Sequence, residues 1–250
     1  MQHEFLILEE KVKEICKKGP VYYYVFHGNW GDAFIRAGTL KFLNDNGIHY
    51  KELSSNKKEW IIPFMRGGTV IFQGSGAWCK FYSEPYNNVK KFQRRFNVII
   101  LPATFENSYS FNNNVTYFCR DKHESQQNMP NAKFCPDMAF YLGKLDYPKS
   151  SGTGYFFRTD VESAKKVDLP PTNRDISAEG DHFADIAPFI EAISKFEIIH
   201  TDRLHVSIAA CLLGREVHLY PNSYFKNKAV FETSIKDYFP NVYFHESLEI

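Results

Sequence analysis

No apolar run in this chain is long enough to span a bilayer, and Met1-Gln-His-Glu-Phe opens no charged and then apolar leader. The expectation is a chain that works in a reducing cytoplasm. Cysteine is sparse and scattered, with five at positions 16, 79, 119, 135 and 211 and no C-x-x-C pair. That spacing suggests neither a zinc site nor a disulfide framework. Cys211 falls in an apolar helical stripe, where it reads as a small core residue. Net charge is almost absent at +1, which argues against a nucleic-acid partner gripped by bulk charge. The short basic runs Lys11-Val-Lys13, Lys57-Lys58 and Lys90-Lys91 read as solvated faces, or as contacts for an acidic membrane surface. Neither a G-x-G-x-x-G fingerprint nor a lysine-bearing P-loop occurs. No metal cluster stands out, and neither internal repeat nor low-complexity tract is evident.

What is present is a globular composition, 44% hydrophobic and 24% charged over 250 residues. Short buried runs alternate with helical patterns. A helix over 3–18 ends at Gly19-Pro20, and Val21–Phe26 reads as a buried strand. A helix over Ala33–Asn44 and strands near Tyr50–Leu53, Thr69–Gln73, Asn97–Leu101 and Val115–Cys119 follow. Pro85–Arg95 reads as a polar helix, and one more strand precedes Pro136. Leu145–Gly154 is rich in Pro, Lys, Ser and Gly and reads as a linker. A second series then begins with a strand over Gly154–Arg158, a loop over Pro170–Asp181 and a helix over Phe183–Lys195. It closes with the strand Glu216–Tyr220 and a helix over Lys226–Lys236. This alternation marks an α/β fold with mainly parallel sheet, in two Rossmann-like halves around a central cleft, the second half compact. The expected domains are 1–145 and 146–250.

The stretch from Phe196 to Gly214 carries the most chemistry. A strand over Phe196–Ile199 runs into a helix whose N-cap is Thr201 or Asp202 and whose stop is Gly214. Arg203 and His205 lie in its first turn. Being two residues apart, they reach one ligand only if it sits over the helix N-terminus, where free N–H groups and the dipole favour anions. Asp202 either pairs with Arg203 or leaves it to a bound phosphate or carboxylate.

Other candidates each have a plainer reading. Gly28-Asn29-Trp30-Gly31-Asp32 sits at a strand-to-helix turn. Asp32 either caps the following helix or takes a proton from a substrate hydroxyl, and one carboxylate does not easily do both. Gly74-Ser75-Gly76 is a turn or a place of close backbone approach. Arg158, beside Thr159-Asp160, is a surface ion pair or a second anion clamp. Asn222 and Lys226 follow the strand ending at Tyr220, at the sheet edge that also holds Arg203. Asp137 reads as a turn former, and His27 and His200 as structural histidines.

In order, Gly28-Asn-x-Gly-Asp32, the turn after Gln73, Leu101-Pro-Ala-Thr104, Arg120–Ser125, Pro136-Asp137, Thr201-Asp-Arg-Leu-His205, and Asn222 with Lys226 resemble the polysaccharide pyruvyl transferase family. The resemblance implies a two-domain fold like that of GT-B glycosyltransferases, with the acceptor on the first domain and the donor on the second. It implies transfer of a pyruvyl group from phosphoenolpyruvate to two hydroxyls of a sugar, with phosphate released and no cofactor or metal. The acceptor would belong to a polysaccharide or to an undecaprenyl-diphosphate-linked precursor at the inner membrane face. Phosphoenolpyruvate carries a carboxylate and a phosphate, for which Arg203, Arg158 and Lys226 are expected cations. His205 is the expected acid toward the methylene carbon, and Asp32 the expected base. The runner-up readings are a nucleotide-sugar glycosyltransferase and a non-catalytic glycan- or anion-binding module.

Overall fold

The computed structural model describes residues 1–17, 19–54, 67–148, 151–164 and 168–248. The Lys57-Lys58 run and residues 149–150 of the expected linker lie outside them. The chain forms two compact units, one of Met1–His27 with Gly38–Tyr141, the other of Gly28–Ala37 with Leu142–Ile250.

In the first unit, helix α1 (Leu6–Cys16) precedes β1 (Val21–Val25). Helix α2 (Trp30–Asp45), whose residues up to Ala37 count with the second unit, then leads to β2 (Lys51–Ser54) and β3 (Thr69–Phe72). Next come α3 (Glu84–Phe92), β4 (Asn97–Ala103), β5 (Val115–Cys119), α4 (Glu124–Asn128) and β6 (Lys133–Phe134). Six parallel strands order as β2-β1-β3-β4-β5-β6. Strands β3 and almost all of β4 are buried, as continuous apolar runs covered on both faces must be. The order reverses between β1 and β3, the kind of switch point beside which open α/β sheets bind ligands. Strand β4 passes Leu101 and runs through Pro102 to Ala103. Proline offers no N–H to the ladder, and the β4–β5 register shifts between Ile100 and Ala103. Aromatic rings fill the core, with Phe72 at 5.0 Å from Tyr24, 5.6 Å from Phe26 and 5.5 Å from Phe92.

The second unit holds β7 (Thr153–Phe156), α5 (Ala187–Ser194), β8 (Ile198–Thr201) and α6 (Leu204–Leu212). Strand β9 (Glu216–Leu219), α7 (Lys226–Val230), a π turn over Phe231–Ile235 and β10 (Val242–Phe244) complete it. Its four parallel strands order as β10-β9-β8-β7. Right-handed crossovers that always step the same way put the connecting helices on one face, and α6 packs on both β8 and β9. Strands β7, β8 and β9 accordingly alternate between half-buried and buried residues. The half-buried face carries Tyr155, His200, His218 and Tyr243 in register across all four strands. Their ring centroids lie 5.2, 4.4 and 5.4 Å apart in turn, the first two pairs stacked and the third tilted.

Several elements differ from the sequence reading. Helix α5 begins at Ala187 and not at Phe183, because Pro188 fits only the first turn of a helix. The preceding turns are held by carboxylates, with Asp181 Oδ1 accepting from Phe183 N at 2.7 Å and Asp185 Oδ1 from Ala187 N at 3.0 Å. Strand β8 begins at Ile198 and runs to Thr201, two residues later than expected. Strand β10, too short to show a pattern, was not expected at all. Helix α6 does stop at Gly214, whose φ of +69° suits glycine. There Gly214 N bonds Cys211 O and Arg215 N bonds Ala210 O. Among the described residues, no helix is long and apolar enough to cross a membrane.

Candidate functional site

The β8–α6 junction is built by Thr201. Strand β8 continues through it, since Thr201 pairs in register with Phe156 and Leu219. Its hydroxyl donates to Phe156 O at 2.7 Å and accepts from Arg203 N at 2.9 Å. The helix start is thereby moved past both expected caps. Arg203 is itself the N-cap residue, extended at φ −89° and ψ 111°. Asp202 turns instead toward β7, where its Oδ1 accepts the backbone N–H of Arg158 at 2.8 Å. Its Oδ2 is buried without a hydrogen-bond partner. Burial raises the Asp202 carboxyl to about 6, against the pull of the Arg158 N–H and of the Arg158 and Arg203 charges.

Arg203 does not pair with Asp202. Its Nε and Nη2 donate to Asp175 at 2.9 and 2.6 Å, and its Nη1 lies 2.9 Å from Asp160 Oδ2. Arg158 is buried, not a surface residue. It donates from Nε and Nη2 to Asp160 at 2.7 and 3.0 Å, and from Nη1 to Glu162 at 2.9 Å. Lys226 Nζ donates to the same Glu162 oxygen at 2.7 Å. The result is an alternating strip, Asp175–Arg203–Asp160–Arg158–Glu162–Lys226. Asp160 is its open member, with 40% of its side chain exposed. Burial opposes its ionisation, but the Arg158 hydrogen bonds and the Arg158 and Arg203 charges prevail and lower its carboxyl to about 2.

Two asparagines complete this edge. Asn222 is 5% exposed, and neither amide atom has a hydrogen-bond partner. Asn227, which the sequence reading passed over, donates to Asp202 O at 2.7 Å and Tyr220 O at 2.8 Å, tying the ends of β8 and β9 together. Its Oδ1 is buried and unpartnered. Orphaned polar atoms on Asp202, Asn222 and Asn227 thus gather beyond the carboxyl ends of β8 and β9, where parallel sheets take ligands.

His205 meets the Gly28–Asp32 turn within this same unit. A Cβ added to Gly31 would stand 2.6 Å from His205 Nδ1, so only glycine fits against that ring. The turn is a reciprocal cap of α2. Asn29 Oδ1 accepts from Gly31 N at 2.8 Å, while Asp32 Oδ2 accepts from Asn29 N at 2.9 Å. Of the two readings for Asp32, this geometry displays the capping one. Gly28 N donates to Nδ1 of the buried His182 at 3.3 Å. Trp30 Nε1 donates to Asp185 O at 2.8 Å, and its ring lies 5.9 Å from Phe189. His182 was missed because nothing local marks it; its role comes from a residue far away in the chain.

Gly74, Ser75 and Gly76 belong to the first unit. A Cβ on Gly74 would meet Pro102 O at 2.2 Å, so the close approach there is to strand β4. Ser75 Oγ accepts from Ala77 N at 3.1 Å and Ser75 O from Thr104 N at 3.1 Å. Beside them, fully buried Arg120 donates to Thr104 Oγ1 at 2.7 Å and pairs with Asp137. Asp137 also forms a turn by accepting from Ala139 N at 2.9 Å. His27 is exposed, and His200 belongs to the ring ladder.

The chain is similar over its whole length to an uncharacterized protein of Klebsiella pneumoniae known from a crystal structure. The two are 27% identical, with 99% of this chain and 100% of that chain covered and a TM-score of 0.80. No curated protein matches the chain. The family model for polysaccharide pyruvyl transferase matches residues 29–224, a span that begins in the Asn29 cap and takes in Arg158, Arg203, His205 and Asn222. The chain belongs to the polysaccharide pyruvyl transferase family.

Proposed function

We propose that this protein transfers a pyruvyl group from phosphoenolpyruvate to two hydroxyls of one sugar in a polysaccharide or its lipid-linked precursor. The product is a cyclic pyruvate ketal, and phosphate leaves. The observation that carries the reading is the packing of His205 against Gly31, beside the N-cap Arg203 and its strip of ion pairs. Membership of the family supplies the reaction class.

On this reading the donor binds at the carboxyl ends of β7, β8 and β9. Asp160 holds its place, since it bridges Arg158 and Arg203 as a phosphate or carboxylate would and is the exposed member of the strip. When Asp160 swings aside, two preorganised guanidinium groups face the donor's anionic groups. Asn222 offers an unused amide to the same ligand. His205 protonates the methylene carbon, making C2 electrophilic. The first sugar hydroxyl bonds to C2, the C–O bond to phosphate breaks, and the second hydroxyl closes the ring. Of the two hydroxyl protons, one balances the new methyl group and the other leaves with phosphate. Asp32 keeps the turn closed behind His205. Work in the cytoplasm, at the inner membrane face, is part of the proposal.

The test is phosphate release from phosphoenolpyruvate in the presence of acceptor glycan. His205→Asn should lose at least about a hundredfold in kcat, the size expected for a general acid, with an unchanged circular dichroism spectrum. Undiminished turnover would remove His205 from the mechanism.

A further inference from the structure

A second site lies in the first unit, away from the strand ends that carry Arg120. An open groove of about 400 Å³ runs between α1, strand β5 and the edge strand β6. We propose that it binds a segment of the acceptor glycan, specifically an oligosaccharide bearing carboxylates. The idea rests on the glycan reading above but not on the pyruvyl chemistry.

The lining chemistry selects the ligand. The side chains of Asn112, Asn113, Asn131 and Thr116 line the groove and hydrogen-bond to no described residue. Planar amides offer a donor and an acceptor side by side, which suits neighbouring hydroxyls of a sugar. Phe111 and Tyr117, with ring centroids 5.5 Å apart, add apolar surface for the C–H faces of a pyranose. Lys11 and Lys133 supply positive charge for carboxylates. Glu14 accepts a hydrogen bond from Lys11 and lies within the field of Lys133. That carboxylate makes the groove a poor clamp for polyphosphate or nucleic acid. Its polar walls equally disfavour an apolar ligand.

The groove is preorganised. Asn112 N donates to Gln93 Oε1 at 2.9 Å. Asn114 Nδ2 donates to Gln93 O at 2.8 Å and Phe96 O at 2.7 Å. The loop is therefore fixed from behind by residues just after α3, while the amides of Asn112 and Asn113 stay exposed. Little ordering is left for a ligand to impose. The groove lies where β5 begins, at Val115, and Arg120 follows that strand's other end. Five residues of extended strand put them on the order of 15 Å apart.

Binding is read directly, without turnover, by isothermal titration and by amide shifts of the full isotope-labelled chain. The probes are an oligogalacturonate hexamer and the uncharged cellohexaose. The expected result is saturable binding of the acidic hexamer, shifts at Asn112–Tyr117 and Asn131–Lys133, and about tenfold weaker binding for Asn113→Ala/Asn131→Ala. Lys133→Glu should weaken the acidic probe more than the neutral one. All substituted side chains are at the surface of the groove, so an unchanged melting temperature is expected to accompany the loss. Shifts confined to other surfaces, or binding that ignores the asparagine changes, would overturn the proposal. Equal affinity for both hexamers would overturn the carboxylate preference. Binding here with no pyruvyl transfer would leave the groove standing and count against the reaction proposed above.

Discussion

Gly31 and His205 are in such close contact that the ring occupies the space a side chain at position 31 would need. Gly31→Ala should displace the imidazole, at about 1–3 kcal/mol of stability for the overpacking. Turnover should fall by two orders of magnitude or more, because acid geometry tolerates little displacement. Paired measurements of melting temperature and phosphate release check this. A variant with wild-type kcat would show that the contact is only structural.

Asp160 gives a second expectation, opposite in sign for stability and binding. Asp160→Asn leaves Arg158 and Arg203 with less negative charge around them, so the folded state loses stability while the strip attracts anions more strongly. Inorganic phosphate and phosphoenolpyruvate should bind about tenfold more tightly. Weaker binding, measured by titration calorimetry, would mean that Asp160 is a support for the arginines and not a placeholder.

Asp202 makes stability depend on pH. Its folded-state carboxyl titrates near 6 owing to burial, above its unfolded value. Its contribution is therefore complete below the unfolded pKa and is lost as pH rises through about 6. Asp202→Asn removes that loss and keeps an acceptor for Arg158 N. Relative to wild type, the variant should gain about 1–3 kcal/mol between pH 4 and pH 7.5 in urea titrations. A difference flat with pH would place the titration elsewhere.

The histidine ladder works in the other direction. Burial, with His218 and His245 nearby, lowers His200 to about 4. The unfolded chain then binds more protons than the folded one between pH 6.5 and 4, and stability falls as pH falls through that window. His200 is partly exposed, so its share is about 1–2 kcal/mol. His200→Phe, which stacks but cannot charge, should flatten the acid limb of a denaturation series. An unaltered limb would assign the acid loss to other groups.

Much of the fold was legible because apolar periodicity and punctuation agree in this chain. The runs at β1, β3 and β4, and Gly214 after α6, each carry a local signal strong enough to stand alone. Boundaries failed where distant partners decide them. The end of β8 depends on the pairing of Thr201 with Phe156 and Leu219, which no local pattern encodes. The site was half legible for the same reason. Asp-Arg-Leu-His205 could be read as a chemical group, but its arginine is balanced by Asp160 and Asp175, which sit outside the strands and helices, without periodicity. His182 and Asn227 lie beyond local inference altogether, since each acts on backbone far from it in sequence or across a loop.

Membership of Gly28–Ala37 in the second unit has a consequence for synthesis. The indole of Trp30 leaves the ribosome 155 residues before Asp185, its hydrogen-bond acceptor. At usual elongation rates that gap lasts on the order of ten seconds, and contacts of such separation form slowly once both partners exist. The unit holding His205 must therefore close last, after most of the first sheet has been made. A fragment cut at Leu142 would lack the wall against which that histidine rests.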